Sequence, residues 1–222
     1  THDSVRDQIK AIALNQITEL GSAALSLGAI ARAMGLTTPA LYRYYPGRAE
    51  LITALIADAY TSLTQALADS QGGISTDNYT VRFRAVSLAY FEWAKAHPQQ
   101  YLLMFGSPIP NHEIEAEAGQ AADRSFLLIL DLIDSADKAG KLTFPFEPAS
   151  LPINLKVQLE TIHHPGTLYS PKVTYLSLVS WSFLHGMTSL DIYQRYALIL
   201  GKATEDFLQV EVDRLIHSIG LV

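Results

Sequence analysis

Apolar residues recur at helical spacing through almost the whole chain. Ile9, Ile12, Ala13, Ile17 and Leu20 share one face of a helix predicted over residues 4–20, with Ser4 as its cap and Gly21 as its stop. Leu27, Ile30, Ala31 and Met34 then fall at i, i+3, i+4 and i+7, a single stripe on a helix that Ser26 can cap and Gly35 can end. Leu36 fills the following turn. Either Thr37 or Thr38 can cap the next helix, and Pro39 is tolerated in its first turn, where an N–H has no intrahelical partner. That helix is short, turns Leu41 and Tyr45 inward, and leaves Thr38, Ala40, Tyr42, Arg43 and Tyr44 on its other faces until Pro46 and Gly47 break it. Two short helices joined by a glycine turn and braced by a third make a helix-turn-helix.

A three-helix unit of about 45 residues encloses too little interior to be very stable alone, so it should lean on the helix that starts near Arg48. This linking helix carries Leu51, Leu55, Ala59 and Leu63 on one stripe. Residues 71–78, QGGISTDN, read as a loop; residues 80–97 resume a helix with Phe83, Val86, Tyr90, Trp93 and Ala94, stopped by Pro98. A short apolar helix over 99–105 leads into an irregular crossing, GSPIPN. Residues 113–140 predict one long helix, so apolar around Phe126, Leu127, Ile129, Leu130, Leu132 and Ile133 that no broad side is expected to face water. A proline-rich stretch over 142–152, a helix over 153–163 and a stop at His163–His164–Pro165–Gly166 follow. The helices over 172–192 and 203–219 are apolar on more faces than one chain covers. A two-fold partner would complete them as a four-helix bundle.

Strand periodicity is absent, so the expected fold is all-α: a helix-turn-helix head over residues 1–48, joined by the linking helix to a helical ligand-binding and dimerisation body over residues 49–222.

With 222 residues, 49% of them apolar and 17% charged, the chain is globular in composition. It has no cysteine, which removes disulfides, thiolate catalysis and cysteine-ligated metal centres. No run of 18 apolar residues exists, so no membrane span is expected; the expected location is cytoplasmic. The sequence starts at Thr1 without methionine, which leaves open a basic arm ahead of it. The net charge of −6 argues against a nucleic-acid partner until its distribution is considered. Residues 1–50 hold five cations against four carboxylates, the remainder eleven against eighteen. An acidic body with a locally cationic head suits a protein that touches DNA at one end.

Glu160 and His163 share a helix face at i, i+3 and with His164 invite a metal reading, but the two histidines at i, i+4 of a zinc protease are missing and the stop after them breaks the helix, so a loop-exposed histidine pair is expected. His185, on an apolar face beside Trp181, reads as a core or pocket-lining histidine. No nucleophile elbow, phosphate-cradling glycine loop or dinucleotide fingerprint occurs, so neither catalytic residues, cofactor nor metal is expected. The competing classes are an all-α enzyme built on Asp and Glu, and a helical protein-interaction module without DNA binding.

The stretch LSLGAIARAMGLTTPALYRYYPGRAEL, residues 25–51, resembles the recognition segment of the TetR family of bacterial transcriptional repressors, above all in its Leu-Tyr-x-Tyr-Tyr run followed three positions on by a basic residue. The likeness covers about 50 residues. Arg48 stands where the family usually has lysine, and Gly28 where some members carry a base-reading side chain. YFEWAKAHPQQYLLMFGSPIP and the Trp181, His185, Gly186 spacing resemble the C-terminal domain of one subset of the family. The resemblance implies a homodimer, joined through its C-terminal helices, on a palindromic double-stranded operator, and a repressor released by a small apolar or aromatic effector. It implies that Ser26, Tyr44 and Arg48 hold phosphates, while Thr37, Thr38, Pro39, Ala40, Tyr42 and Arg43 approach bases or the adjacent backbone. For the effector, the aromatic-rich body nominates Tyr90, Trp93, Met104, Phe105, Phe126, Trp181 and His185.

Overall fold

A computed structural model describes residues 2–106, 116–143, 151–164 and 167–222. Its helices are α1 (His2–Leu20), α2 (Leu27–Ala33), α3 (Thr38–Tyr42), α4 (Arg48–Asp69), α5 (Tyr79–Ala96), α6 (Pro98–Phe105), α7 (Ala116–Lys138), α8 (Ile153–Glu160), α9 (Pro171–Ile192), α10 (Arg195–Leu200) and α11 (Thr204–Ser218). The expected crossing at GSPIPN beyond Gly106, the expected helix start at Glu113, most of the proline-rich stretch and Pro165–Gly166 lie outside the described residues.

The chain divides into two compact units. The first takes in residues 1–62 and 97–122, the second 63–96 and 123–222. In the first, Ile9, Ala13 and Ile17 of α1, Leu27, Ile30 and Ala31 of α2, Leu41 and Tyr45, and Leu51, Ile52, Leu55 and Ile56 of α4 form one buried cluster. Leu103 of α6 and Ala121 of α7 join it. The three-helix head therefore gains its interior from α4, as its size requires, and also from two helices distant in sequence. Polar ties reinforce the packing: Lys10 of α1 reaches Asp58 of α4 at 2.7 Å and Asp7 at 3.2 Å. Burial alone would lower the Lys10 pKa, but the hydrogen bond and charge of Asp58 and the hydrogen bond of Asp7 together leave it raised.

Among the described residues only α4 is long and apolar enough by composition to cross a membrane. Its Leu51, Ile52, Leu55, Ala59 and Leu63 are all buried against protein, the behaviour of a core helix.

The second unit packs α5, α7, α9 and α11 around Phe83, Val86, Trp93, Leu130, Ile133, Leu176, Leu184 and Val212. Buried hydroxyls are satisfied locally. Ser177, Ser180 and Thr188 of α9 each donate to the carbonyl four residues earlier, so a helix carrying six serine and threonine hydroxyls still presents a dry face. Side-chain bonds fasten α9 to α7: Tyr169, just before α9, donates to Asp131 at 2.5 Å, and Lys172 to Asp137 at 2.7 Å. Burial, then the bond to Asp131, pushes the Tyr169 phenol up.

Several expectations need correction. The first helix starts at His2, so Ser4 lies inside it rather than capping it. The long helix is not apolar all round: Arg124, Asp131, Ser135 and Lys138 keep one side of α7 in water, because charged residues recur there at the helical period. The helix expected over 153–163 ends at Glu160. His163–His164 instead pairs antiparallel with Thr167–Leu168, a two-residue ladder too short to show alternation in sequence. A short helix, α10, separates the last two long ones and exposes Leu198 and Ile199.

Leu130 is fully buried at the centre of the second unit. Replacing it with alanine is expected to destabilise the protein by about 2–5 kcal/mol through lost transfer energy and a residual cavity, measured by urea denaturation followed by circular dichroism.

Candidate functional site

The helix-turn-helix forms as its residues dictate. Ser26 caps α2 by accepting from the Ala29 N–H at 3.3 Å. Gly35 adopts φ +66°, the left-handed conformation that ends the helix, and lets Leu36 bond back to the Ala31 carbonyl at 2.8 Å. Of the two threonines it is Thr37 that caps α3, accepting from Ala40 N–H at 3.3 Å, with Pro39 in the first turn. Leu41 and Tyr45 are buried, while Thr38, Pro39, Tyr42 and Arg43 are exposed and Ala40 and Tyr44 half-buried. Tyr42 shows 47% of its surface, a large aromatic left in water by a helix whose neighbours are packed.

Two properties of this surface matter chemically. A capping hydroxyl accepts through a lone pair and keeps its hydrogen, so Ser26 and Thr37 are held rigidly with a donor still to offer. The exposed cations on the two short helices are Arg32 and Arg43. Arg6 instead lies 4.7 Å from the centre of the Tyr45 ring, and Lys10 is tied to Asp58. At Gly28 an added β-carbon would come no closer than 3.7 Å to the Arg32 side chain, so packing does not demand glycine there.

Three side-chain contacts at this site escaped the sequence analysis. The Gln16 side chain accepts from Ser26 N–H at 3.1 Å, fixing the start of α2 to α1. Arg48, at the start of α4, donates from Nη2 to the Ser22 carbonyl at 2.6 Å, and its Nε is buried without a partner. Glu50 folds back so that a β-carbon on Gly47 would meet its carboxylate oxygen at 2.6 Å. None of these side-chain directions follows from residue type or spacing.

The effector candidates separate. Met104 and Phe105 pack against the head's core, with Phe105 at 5.7 Å edge-on to Tyr60 and 5.1 Å from Tyr101. Burial pushes the Tyr60 phenol up to about 12. The other five lie in the second unit. There Trp181 and His185, one turn apart on α9, stack at 5.3 Å and 12°, and Tyr90 Oη lies 3.5 Å from His185 Nδ1. Tyr90 and Trp93 are buried; Phe126, Trp181 and His185 are half-buried. Among the described residues no group of three or more His, Cys, Asp or Glu is placed to hold a metal ion.

The helix-turn-helix geometry agrees with the comparisons. Residues 9–55 match the family model for bacterial regulatory proteins of the tetR family, and residues 83–215 that for the tetracyclin repressor-like C-terminal domain. The chain belongs to the TetR family. The HTH-type transcriptional regulator Rv1816 of Mycobacterium tuberculosis is 28% identical over 198 residues, 86% of this chain and 83% of its own. The solved structure of SCO4313 superposes with a TM-score of 0.78 at 29% identity, over 97% of each chain. A tetR-family regulatory protein from Rhodococcus RHA1 shares the fold, with a TM-score of 0.65 at 14% identity over 98% of this chain and 97% of its own. The protein is accordingly a DNA-binding transcriptional regulator and not an enzyme.

Burial lowers the His185 pKa, so the folded TetR-family body disfavours its protonation. The penalty is absent above the unfolded histidine value of about 6.5 and grows as pH falls from there through the lowered folded value. Thermal melts at pH 7.5 and pH 5 should show the wild-type protein losing more stability on acidification than His185→Gln does.

Proposed function

We propose that this regulator is a cytoplasmic repressor that binds a palindromic operator as a homodimer and leaves it when a small apolar or aromatic effector enters the body. Residues 1–48 act as the DNA-binding domain and residues 49–222 as the effector and dimerisation domain. The observation that carries the reading is the surface of α3: Thr38, Tyr42 and Arg43 exposed on a helix held from beneath by Leu41 and Tyr45. On DNA, α3 enters the major groove. Ser26, Tyr44 and Arg48 hold phosphates, while Thr37, Thr38, Pro39, Ala40, Tyr42 and Arg43 approach base edges or the adjacent backbone.

Dimerisation through the C-terminal helices is supported by an apolar strip that the chain itself leaves uncovered. Val179, Ser182, Gly186 and Leu190 follow one line along α9, and all are exposed. Val210 is exposed on α11. Effector binding is supported by the Tyr90, Trp181 and His185 cluster, with Trp93 and Phe126 as further apolar wall and His185 as the polar handle.

Two measurements test this. A gel shift with the DNA flanking the protein's own gene should give a dimer complex whose affinity falls steeply with salt. Arg43→Ala should weaken it by about 1–3 kcal/mol if Arg43 reads a base, chiefly at one position of the site. An aromatic metabolite that binds the body yet leaves operator affinity unchanged would remove the proposed switch.

The interface is tested at Gly186, where an added β-carbon meets nothing within 4 Å. Gly186→Trp is expected to leave each protomer's helical content intact while shifting sedimentation from dimer to monomer. A tryptophan variant that stays fully dimeric at micromolar concentration would place the interface elsewhere.

A further inference from the structure

Neither backbone nor packing explains the glycine near the start of α2. Gly28 lies inside the helix with φ outside the left-handed region, and an added β-carbon would meet nothing closer than 3.7 Å. Glycine is a poor helix former, so its presence there costs stability that another residue would recover. What lies beside it is Arg32, one turn on. The Arg32 Nη1 is the atom at 3.7 Å, and the Ser26 hydroxyl oxygen lies 3.9 Å from the same point. The exposed Arg32 side chain thus runs back along α2, the direction in which helical side chains lean, and brings its guanidinium beside the hydroxyl that caps the helix.

The protein itself makes no use of that charge. No acidic residue occurs in α2, and the positions three and four away from Arg32 hold Ala29, Gly28, Gly35 and Leu36. Among the described residues Arg32 makes no ion pair or side-chain hydrogen bond. Ser26 accepts from Ala29 N–H and keeps its own hydrogen to donate. Two donors are therefore held around one point, and two oxygens of a single phosphate, each about 2.9 Å from its donor, span such a gap.

Accepting the DNA-binding reading above, we infer that Arg32 is a phosphate ligand and shares with Ser26 one phosphate of the operator backbone. Gly28 is the condition for this. A long side chain there takes the place where the guanidinium lies and turns it away from Ser26. A lysine at position 32 keeps a point charge on the same path and serves a phosphate, whereas a base edge read by a planar fork is lost with the fork.

The test uses the full-length protein and a duplex enriched from a random-sequence pool by the wild-type protein. Affinity is measured against salt, on that duplex and on single-base variants of it, for wild type, Arg32→Met, Arg32→Lys, Gly28→Ala, Gly28→Leu and the double variant Gly28→Leu/Arg32→Met. Each phosphate contact contributes about 0.9 to the slope of log affinity against log salt, so a dimer without Arg32 should lose about 1.8. Arg32→Met is expected to show that loss and to weaken all sequences alike, while Arg32→Lys and Gly28→Ala keep the wild-type slope. Gly28→Leu should lose the same slope although leucine is the better helix former, and circular dichroism should show its helical content undiminished. Adding Arg32→Met to it should lower the slope no further.

An unchanged slope in Arg32→Met would overturn the inference. So would a relaxed preference at one base position that lysine fails to restore, the mark of a base reader. A leucine effect that persists in full beside Arg32→Met would show the duplex itself rejecting the side chain, and Gly28 would then not act through Arg32. If wild-type protein enriches no duplex, the DNA-binding reading fails, and this role fails with it.

Discussion

Leu41 and Tyr45, buried beneath α3, are the contact on which everything else depends. A five-residue helix cannot sustain itself in water, since nucleation costs more than one turn of hydrogen bonds returns. The helix exists because these two side chains are packed against α1, α2 and α4. The cap from Thr37 and the left-handed Gly35 then determine where it begins. Only with its inner face secured can the outer one carry an exposed tyrosine and an arginine, groups that would destabilise an isolated segment by leaving apolar surface wet.

The rest of the head serves rigidity of placement more than charge. Its cations are few, and several are used internally: Lys10 on Asp58, Arg6 over the Tyr45 ring, Arg48 on the Ser22 carbonyl. Long-range attraction to a polyanion is correspondingly small for a chain of net charge −6. In the proposed reading, recognition rests on short-range donors in fixed positions. Hydroxyls already locked as helix caps meet that requirement with little conformational entropy left to lose.

Much of this was legible in sequence because it is periodic. The stripes Leu27–Ile30–Ala31, Leu51–Leu55–Ala59–Leu63 and Phe83–Val86–Tyr90–Trp93–Ala94 are buried as their spacing implied, and Gly35 sits at the left-handed position its place in the pattern required. What periodicity does not encode is the partner of a long side chain. Nothing in its spacing says that Arg48 donates to a carbonyl 26 positions earlier. Nor does spacing say that Met104 and Phe105 of α6 pack against the head's core. The two-residue ladder at His163–His164 is too short to leave a pattern at all.

Helix α4 supplies Arg48–Ser62 to the first unit and continues without a break into the second, where Leu63 and Leu67 are buried. At about 1.5 Å per residue it is a rod roughly 33 Å long. A rod anchored at its first residue by Arg48 and a turn or so beyond mid-head by Asp58 cannot bend there without breaking a bond to α1 or to its turn. In the proposed reading, an effector's signal has to reach a head whose α1 and α4 are tied together. Such a signal exists only to the extent that an effector binds two arrangements of the protein with unequal affinity, and whatever factor it takes from DNA binding, DNA takes equally from the effector.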